Sequence, residues 1–288
     1  MKTSLDCLPC FVRQALDAAR LVSDDPALHE KIVRELLEWV GWMDMKQPSP
    51  ALAQRIHRRL REVVGSDDPY AAIKERQNRM ALGLLPLLRR AVERAADPFE
   101  ATVKLAVAAN VIDLGAKTGL SEEEVLATMR NAAETALTGD IPAFREAASR
   151  AKDILYLTDN AGEIVIDRLI IERLAPARVT VAVRGGAVIN DALMADARAA
   201  GLTDIVAVID NGSDAPGTLL ADCSEEFRRR FAVADLIIAK GQGNFESLSE
   251  EPHNIWFLFK VKCPVIADHA GLPVGAHAVM HSATTVSA

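Results

Sequence analysis

The spacing of apolar residues divides the chain into two parts with different periodicities. Up to about residue 150, apolar residues recur at intervals of three and four, which predicts amphipathic helices. The helices are predicted over 8–21, 27–43, 51–64, 71–95 and 125–137. Asp97-Pro98 is typical of a helix start, Pro86 predicts a bend, and Ser121 begins a capping box. We expect residues 1–150 to form a helical domain or a helical lid.

The periodicity changes after residue 150. Short runs of apolar and β-branched residues alternate with helical segments, which predicts strands joined by helices in a parallel sheet. The strands are predicted over 154–157, 179–183, 205–209, 236–239 and 265–267. The predicted fold class is therefore α/β, with a second domain over 151–288. The cleft between the two parts is the expected site.

The first predicted strand ends in an acid and an amide. Asp159 and Asn160 follow the apolar run at 154–157 almost directly. In an open α/β sheet, ligands bind beyond the carboxyl ends of the strands, and carboxylate and amide oxygens are ligands for a cation such as Mg²⁺. Asp and Asn are also favoured as helix caps, so this pattern alone leaves both interpretations open.

Polar and glycine-rich turns follow the next three strands as well. The second strand runs into Arg184-Gly185-Gly186 and then Asn190-Asp191, and the third ends in Asp210-Asn211-Gly212. The fourth ends in Lys240-Gly241-Gln242-Gly243-Asn244. Each turn alone is weak support for a site, because any turn favours Asn, Asp and Gly. Since parallel strands share a carboxyl edge, we expect these turns to lie together with Asp159.

Together the turns indicate phosphate chemistry assisted by a metal ion. A hard divalent cation binds Asp and Asn oxygens and keeps positions open for phosphate and water. Lys240 supplies positive charge, and Gly241 and Gly243 allow backbone N–H groups to approach phosphoryl oxygens. No His lies in the candidate ligand turns, which favours Mg²⁺ or Mn²⁺ over zinc.

Two related site patterns are not matched. A dinucleotide site would require Gly-x-Gly-x-x-Gly after the first strand, and residues 158–162 contain a single Gly. A phosphatase of the haloacid dehalogenase kind would require a second Asp two residues after Asp159, where this chain has Ala161.

Charge and hydropathy limit the partners. The formal net charge of −7 argues against nucleic acid, since phosphate backbones require clustered Lys and Arg. We found no apolar run that could span a bilayer and no secretory signal, so we expect a cytoplasmic protein without a membrane partner. In that compartment Cys7 and Cys10 are expected to be thiols or metal ligands. We interpret this Cys-x-x-Cys pair as structural or redox-sensitive, since Cys223 and Cys263 stand alone.

Several segments, in this order along the chain, resemble the damage-control phosphatase family, known as domain of unknown function 89. The matching segments are 6–10, 109–113, 159–163, 190–191, 240–246 and 260–264. They extend over essentially the whole chain, and the pair Cys7 and Cys10 resembles the prokaryotic branch. The resemblance implies a Rossmann-like α/β domain with a multi-helical N-terminal region. It also implies a metal-dependent phosphatase that acts on small phosphorylated metabolites, such as sugar phosphates or damaged phosphometabolites.

The resemblance further implies roles for individual residues. Asp159, Asn160 and Asp191 would hold a divalent cation (Mg²⁺, Mn²⁺, Co²⁺ or Ni²⁺), and Asp159 and Lys240 would be catalytic. The chain has Ala109 where the family more often has Gly, and the added methyl group is expected to narrow the pocket. With Arg184 and Gly241 from the turns described above, the candidate substrate-binding residues are Asn110, Glu163, Arg184, Lys240, Gly241 and Lys262.

For some polar residues the pattern leaves two interpretations open. Asn110 and Asp113 lie three apart on an otherwise apolar helix, which is typical of a buried polar pair; the resemblance favours Asn110 as a site residue. Lys74 and Asn78 lie one turn apart and would either reach the cleft or lie on the surface.

Two other functions remain as alternatives. A carboxyl methyltransferase that uses S-adenosylmethionine would need a glycine-rich first turn, and this first turn has one Gly, at 162. A non-catalytic sugar-phosphate-binding protein would have the same pocket but would release no phosphate. The sequence makes no prediction of the oligomeric state.

Overall fold

The central feature is a seven-stranded sheet in this computed structural model, which describes residues 1–109 and 122–282. The strands are β1 (Leu137–Gly139), β2 (Ile154–Leu157), β3 (Val179–Val183), β4 (Ala207–Asp210), β5 (Leu236–Lys240), β6 (Ile255–Lys260) and β7 (His277–His281). They lie side by side in the order β1-β7-β6-β5-β2-β3-β4. All neighbours are parallel except β6 and β7, which are antiparallel. The predicted α/β class is confirmed.

Helices precede the sheet and connect its strands. Before the first strand lie α1 (Cys7–Val22), α2 (Pro26–Val40), α3 (Ser49–Val64), α4 (Ala71–Arg94), α5 (Pro98–Ala108) and α6 (Glu122–Glu134). Between the strands lie α7 (Ile141–Arg150), α8 (Glu163–Ile171), α9 (Met194–Ala199), α10 (Glu225–Val233), α11 (Gln242–Leu248) and α12 (Pro264–Ala270), with a 3₁₀ turn at Pro176–Arg178. None of the helices in the described part of the chain is both long and apolar enough to span a bilayer.

The periodicity of the first half predicted its helices well. Helices α1 to α4 begin and end within three residues of the predicted positions. Asp97 caps α5, since its carboxylate accepts the backbone N–H of Glu100 at 3.0 Å. Helix α4 continues through Pro86, and the bend there stays a prediction. Asn110, Asp113 and Ser121 lie outside the described residues.

The predictions for the end of the chain were partly wrong. The segment 265–267, predicted as a strand, lies inside α12, because Pro264 occupies the first helical turn; of this run, Ile266 is the buried residue. Strands β6 and β7 were missed. The helix predicted to end at residue 137 ends at Glu134, and Leu137 already belongs to β1, which pairs with β7.

Both faces of the sheet are covered, as parallel strands require. Alternate residues of β2 point to opposite sides: Ile154 and Tyr156 join the core formed with α4, α5 and α8, whereas Leu155 and Leu157 join the core formed with α10, α11 and α12. Helices α1 to α3 have a separate apolar cluster. Helices α4 and α5 therefore form one layer of the α/β structure. The domain boundary at residue 150 stays a prediction.

All four cysteines are free thiols. Cys10 is exposed, Cys7 is half-buried, and the Ser49 hydroxyl lies 3.7 Å from the Cys7 sulfur. Burial raises the pKa of the Cys10 thiol, which lowers its fraction of reactive thiolate. The structural or redox-sensitive role of this pair stays a prediction.

Candidate active site

The candidate residues lie at the carboxyl edge of the sheet, at the point where the strand order reverses. From β2 the chain moves outward to β3 and β4, and then returns to the other side of β2 as β5. The ends of β2, β3 and β5 are therefore neighbours. Such a switch point is the usual ligand site of an open α/β sheet. The first, second and fourth candidate turns accordingly lie side by side.

The loop after β2 is fixed by main-chain bonds to the loop after β3. Asn160 and Asp191 form an isolated antiparallel bridge. The Ala192 N–H donates to the Asp159 carbonyl at 2.8 Å, and the Ala161 N–H donates to the Asn190 carbonyl at 2.8 Å. This pairing brings Asp159, Asn160 and Asp191 together, although the last is about thirty positions away in the chain.

The side chains of the first loop turn into this site and do not cap the helix. Asp159 and Asn160 are buried, each with 8% of its surface exposed. The Asn160 Nδ2 atom donates to Asp159 Oδ2 at 2.9 Å and to Glu163 Oε2 at 3.2 Å. The N-cap of α8 is Gly162, with no side-chain cap bond. The alternative that Asp159 or Asn160 serves as a side-chain cap is therefore wrong.

Lys240 lies below this loop, inside the protein. Its side chain is fully buried, and its Nζ atom lies 2.7 Å from Glu163 Oε1 and 2.7 Å from Asp167 Oδ1. Asp167 was not among the predicted residues, although an acid one turn after Glu163 in the apolar helix α8 was a visible signal. In the described arrangement Lys240 thus contacts two carboxylates. Its contact with the substrate phosphate stays a prediction.

The charges of this buried group depend on each other. Burial raises the pKa of Asp167 to about 6, although the Lys240 ammonium acts in the opposite direction. Burial opposes the charge of Lys240, but the carboxylates of Asp167 and Glu163 outweigh it and raise the pKa of Lys240. The ammonium therefore stays charged at neutral pH, as the counterion of the carboxylates beneath the loop.

Arg184 joins the second and fourth turns. Its Nε atom donates to Asp191 Oδ2 at 2.8 Å, and Nη1 and Nη2 each lie 3.3 Å from Asn244 Oδ1. Asn244 in turn donates to the Thr158 carbonyl at 3.1 Å and to the Lys240 carbonyl at 2.7 Å. The guanidinium is buried, so in this arrangement Arg184 orders the loops around Asp191.

Helix α4 closes the site from the helical part of the chain. Asn78 accepts the Gly162 N–H at 2.7 Å and donates to Asp196 Oδ1 at 2.7 Å. Lys74 lies 3.7 Å from Asp196 Oδ2. Both α4 residues are buried. The prediction that Lys74 and Asn78 reach the cleft is therefore correct, and the alternative that they lie on the surface is wrong. Asp196 was missed, because nothing near it in sequence indicates a site.

Gly241 has a structural reason to be glycine. Its φ of +80° is in the region that favours glycine, and a Cβ placed there would lie 2.0 Å from Asp159 Oδ2. The Gly241 N–H donates to the Leu258 carbonyl at 3.0 Å and is thus used within the sheet. Glycine at this position makes room for the Asp159 carboxylate against the backbone.

The acidic residues are under electrostatic strain. Burial, reinforced by the charges of Glu163 and Asp191, raises the pKa of Asp159 well above its usual value, although Lys262 and Arg184 act against this. Burial also raises the pKa of Asp191, against the effect of Arg184. Lys262 is exposed, close enough for its charge to act on Asp159. Closely spaced buried carboxylates favour additional positive charge.

The donor atoms fit a hard divalent cation by their chemistry. Asp159 and Asp191 offer carboxylate oxygens and Asn160 an amide oxygen, the ligand types that Mg²⁺ and Mn²⁺ accept alongside water and phosphate. Within residues 1–109 and 122–282, no group of three or more His, Cys, Asp or Glu residues is arranged to hold a metal ion.

Of the predicted site residues, the described structure joins most in one connected network. Asn110 lies outside the described residues. Lys262 is at the exposed margin, and its backbone N–H donates to Gln242 Oε1 at 3.1 Å. The residues brought together are Asp159, Asn160, Glu163, Arg184, Asp191, Lys240 and Gly241.

Comparison with known proteins identifies the family. The model of the damage-control phosphatase ARMT1-like domain matches residues 3–278. The chain belongs to the damage-control phosphatase family. It is 36% identical to a damage-control phosphatase of Archaeoglobus fulgidus, over 96% of this chain and 97% of that protein. It is 34% identical to a damage-control phosphatase of Pyrococcus horikoshii, over 98% of this chain and 99% of that protein.

Two further likenesses agree with this assignment. An uncharacterized protein of Methanocaldococcus jannaschii is 34% identical over 97% of this chain and 95% of its own length. The crystal structure of a duf89 family protein from Pyrococcus horikoshii superimposes with a TM-score of 0.90 at 33% identity, covering 98% of this chain and 99% of the other. The resemblance inferred from the motifs is thus confirmed, and the chain is a phosphatase of this family.

Proposed function

We propose that this phosphatase hydrolyses small phosphomonoesters with a divalent cation held by Asp159, Asn160 and Asp191. The observation that carries the proposal is the main-chain bridge that brings these three donors together at the switch point of the sheet. The names of two relatives support damaged phosphometabolites as the substrate class, with sugar phosphates as a further candidate.

The proposed reaction is phosphoryl transfer to water. The bond between phosphorus and the ester oxygen breaks, a bond between phosphorus and a water oxygen forms, and a proton of that water compensates the leaving alkoxide. When bound, the cation supplies Lewis-acid polarisation of the phosphoryl group. Asp159 and Asp191 contribute negative charge and orientation, while Arg184 keeps Asp191 in place.

Glu163 and Lys240 support this arrangement from below. Glu163 accepts from Asn160 on one side and pairs with Lys240 on the other, so the position of the Asn160 amide depends on the buried ammonium. We propose that Lys240 acts on the reaction at least through this contact. Lys262, at the exposed margin, is placed to attract an anionic substrate.

The test is phosphate release by protein stripped of metal. The protein is assayed with a panel of sugar phosphates and other phosphomonoesters after addition of Mg²⁺, Mn²⁺, Co²⁺ or Ni²⁺. Asp159→Asn and Asp191→Asn keep the shape but remove a charge, and each is expected to lower kcat/KM at least about 100-fold. Asp210→Asn is the matched control, since this acid also ends a strand of the same sheet but is exposed.

Three outcomes would contradict the proposal. They are full activity without added metal, activity that survives both substitutions, and an equal loss in the Asp210 control. Binding of sugar phosphates without release of phosphate would favour the non-catalytic alternative. Methyl transfer from S-adenosylmethionine without phosphate release would favour the methyltransferase.

A further inference from the structure

The carboxylate of Asp196 is connected to both loops that carry the proposed cation ligands. Its Oδ2 atom accepts the Leu193 N–H at 2.8 Å, in the loop that carries Asp191. Its Oδ1 atom accepts from the Asn78 side chain at 2.7 Å. Asn78 in turn accepts the Gly162 N–H at 2.7 Å, at the end of the loop after β2. One carboxylate thus contacts the first of these loops directly and the second through Asn78.

These bonds act at the far end of each loop. The main-chain bridge joins Asn160 to Asp191, and Gly162 and Leu193 each follow their bridge residue by two positions. Gly162 is the N-cap of α8, and Leu193 is the N-cap of α9. Each loop is therefore fixed at two points, once by the bridge and once where its helix begins. The second point of both loops depends on Asp196.

Helix α4 provides partners for both loops from one buried face. Lys74, Gln77 and Asn78 are spaced by three and four residues, which places them on the same side of the helix, and all three are buried. The Asn190 side-chain amide donates to Gln77 Oε1 at 3.4 Å, and the Gly162 N–H donates to Asn78. Neither loop can therefore shift along α4 without breaking one of these bonds.

Asp196 is buried together with a cation. It has 5% of its surface exposed, and the Lys74 Nζ atom lies 3.7 Å from its Oδ2 atom and 2.5 Å from Asp68 Oδ2. Capping of α9 requires only the bond to the Leu193 N–H, which an exposed acid could also make. A buried charge must be paired and hydrogen-bonded, and such a pair adds little stability. The bonds to the two loops instead explain why Asp196 is buried.

We infer that Asp196 is a positioning residue of this phosphatase, which sets the spacing between the loop after β2 and Asp191. The inference rests on the proposed function, because that function places a divalent cation between the ligands on the two loops. Asn78 transmits the contact to Gly162, and Lys74 balances the charge of Asp196. Without this carboxylate the bridge still joins the loops, but the starts of α8 and α9 are no longer fixed to each other. The ligands then bind the cation less tightly.

The first test measures cation affinity by calorimetric titration of the metal-free protein with Mn²⁺. Asp196→Ala removes both acceptor oxygens and is expected to raise Kd about 10–100-fold, the usual range for residues that hold metal ligands in place. Asp196→Asn keeps one acceptor oxygen, so the rise should be smaller. The Mn²⁺ concentration that gives half-maximal phosphate release should rise by the same factor, whereas KM for the phosphomonoester at saturating Mn²⁺ should not change.

Asp97→Ala is the matched control. Asp97 also accepts a backbone N–H at a helix start, that of Glu100 at 3.0 Å, and it also pairs with a cation, Arg145. Neither of these contacts involves the two loops. Asp97→Ala is expected to lower the free energy of unfolding in urea, as Asp196→Ala does, but to leave Kd for Mn²⁺ unchanged. The comparison thus separates a loss of positioning from a loss of stability.

Amide hydrogen exchange measured by NMR tests the positioning without a cation. In Asp196→Ala, the Leu193 and Gly162 amides should exchange about five- to tenfold faster than in the wild type, as expected for the loss of one hydrogen bond. The Ala161 and Ala192 amides donate to carbonyls across the bridge and should keep their protection. In the control variant, all four amides should exchange as in the wild type.

Two results would overturn the inference: the wild-type Kd in Asp196→Ala, or an equal rise of Kd in Asp97→Ala. In either case the phosphatase proposal stands if the wild type releases phosphate with the cation. If the wild type binds none of the cations and releases no phosphate, the phosphatase proposal fails, and amide exchange alone decides whether Asp196 positions the loops. Unchanged exchange at Leu193 and Gly162 would then overturn the inference as well.

Discussion

The cluster of helices α1 to α3 and the carboxyl edge of the sheet are both rich in charged side chains. They differ in how far these charged side chains are exposed to solvent. In the helical cluster, Arg34 and Glu30 form a pair at the surface, with 73% and 63% of their side chains exposed. At the sheet edge, Lys240, Glu163 and Asp167 have at most 3% exposed. The buried charges thus coincide with the candidate active site.

An ion pair at the surface stabilises the folded state by about 0–1 kcal/mol. Buried charges lose their hydration, and their mutual attraction often does no more than offset that loss. Stability alone therefore gives little reason to bury Lys240 with two carboxylates. A site that needs fixed charge beside a reacting phosphate does give a reason. The contrast can be tested by removing charges one at a time.

The largest effect is expected from Lys240→Met. This change leaves the Glu163 and Asp167 carboxylates buried without their counterion, which should lower the free energy of unfolding by about 3–5 kcal/mol. Urea denaturation measures the loss. Adding Asp167→Leu to the same chain should restore part of it, because one uncompensated carboxylate is then removed. A loss below about 1 kcal/mol would show that Lys240 behaves like a surface charge.

The next effect concerns the backbone beside Asp159. Gly241→Ala should lower the free energy of unfolding by about 1–3 kcal/mol through its positive φ, and more through the contact at 2.0 Å with Asp159 Oδ2. Phosphate release should fall as well, since Asp159 must move. Gly271→Ala is the matched control, because its φ is +65° but a Cβ there meets nothing within 4 Å. Equal losses in both variants would mean that only strain acts at Gly241.

A third comparison uses pH, because a carboxylate beneath the acidic loop and a carboxylate bound by arginines of α3 should respond with opposite sign. The pKa of Asp167 is raised to about 6, mainly by burial. The pKa of Asp214 falls to about 2, because bonds from Arg58 and Arg61 of α3 outweigh its burial. The folded state thus binds the Asp167 proton more tightly than the unfolded state does, and the Asp214 proton less tightly.

The expected pH profiles follow from these shifts. The stability advantage of wild type over Asp167→Asn should be largest below pH 3.8 and should fall as the pH rises through about 6. The advantage over Asp214→Asn should be present above pH 3.8 and should fall as the pH drops toward about 2. Urea denaturation between pH 2 and 7 measures both. Profiles with the same sign would contradict the contrast between these two carboxylates.

The smallest effect is expected at the surface of the helical cluster. Arg34→Gln removes an exposed pair with Glu30 one turn away, and the free energy of unfolding should change by at most about 0.5 kcal/mol. The change should vanish in high salt, because exposed pairs are screened. A larger loss, insensitive to salt, would remove the distinction between the two regions.

An element could be predicted from the sequence where the local spacing of its apolar residues matches the side chains that are buried in the fold. Strands β2 and β3 were predicted at their observed bounds, because they are short β-branched runs between turn residues. The run at 265–267 is equally short and apolar but belongs to α12. Periodicity cannot separate a three-residue strand from three residues of a short helix. The antiparallel pairing of β6 with β7 also depends on contacts distant in sequence.

The candidate site shows the same limit. Asp159 and Asn160 were recognisable because an acid and an amide interrupt the end of an apolar strand. The residues that support this loop come from elsewhere: Asn78 of α4 accepts the Gly162 N–H, Asp196 of α9 accepts from Asn78, and Asp167 of α8 pairs with Lys240. No spacing in the sequence joins Asn78 and Asp196 to this loop, because they become its neighbours only after the sheet and helices pack.

The order of residues was sufficient to predict the α/β class, the helices of the first half, the polar turns and, through the motifs, the phosphatase family. Local spacing and short motifs contain that information. The tertiary structure decided which charges are buried and which neighbours they meet. It placed Lys240 beneath the acidic loop, turned Lys74 and Asn78 into the cleft, and put Gly241 against Asp159. Burial and pairing depend on neighbours in space, and the order of residues does not display those neighbours.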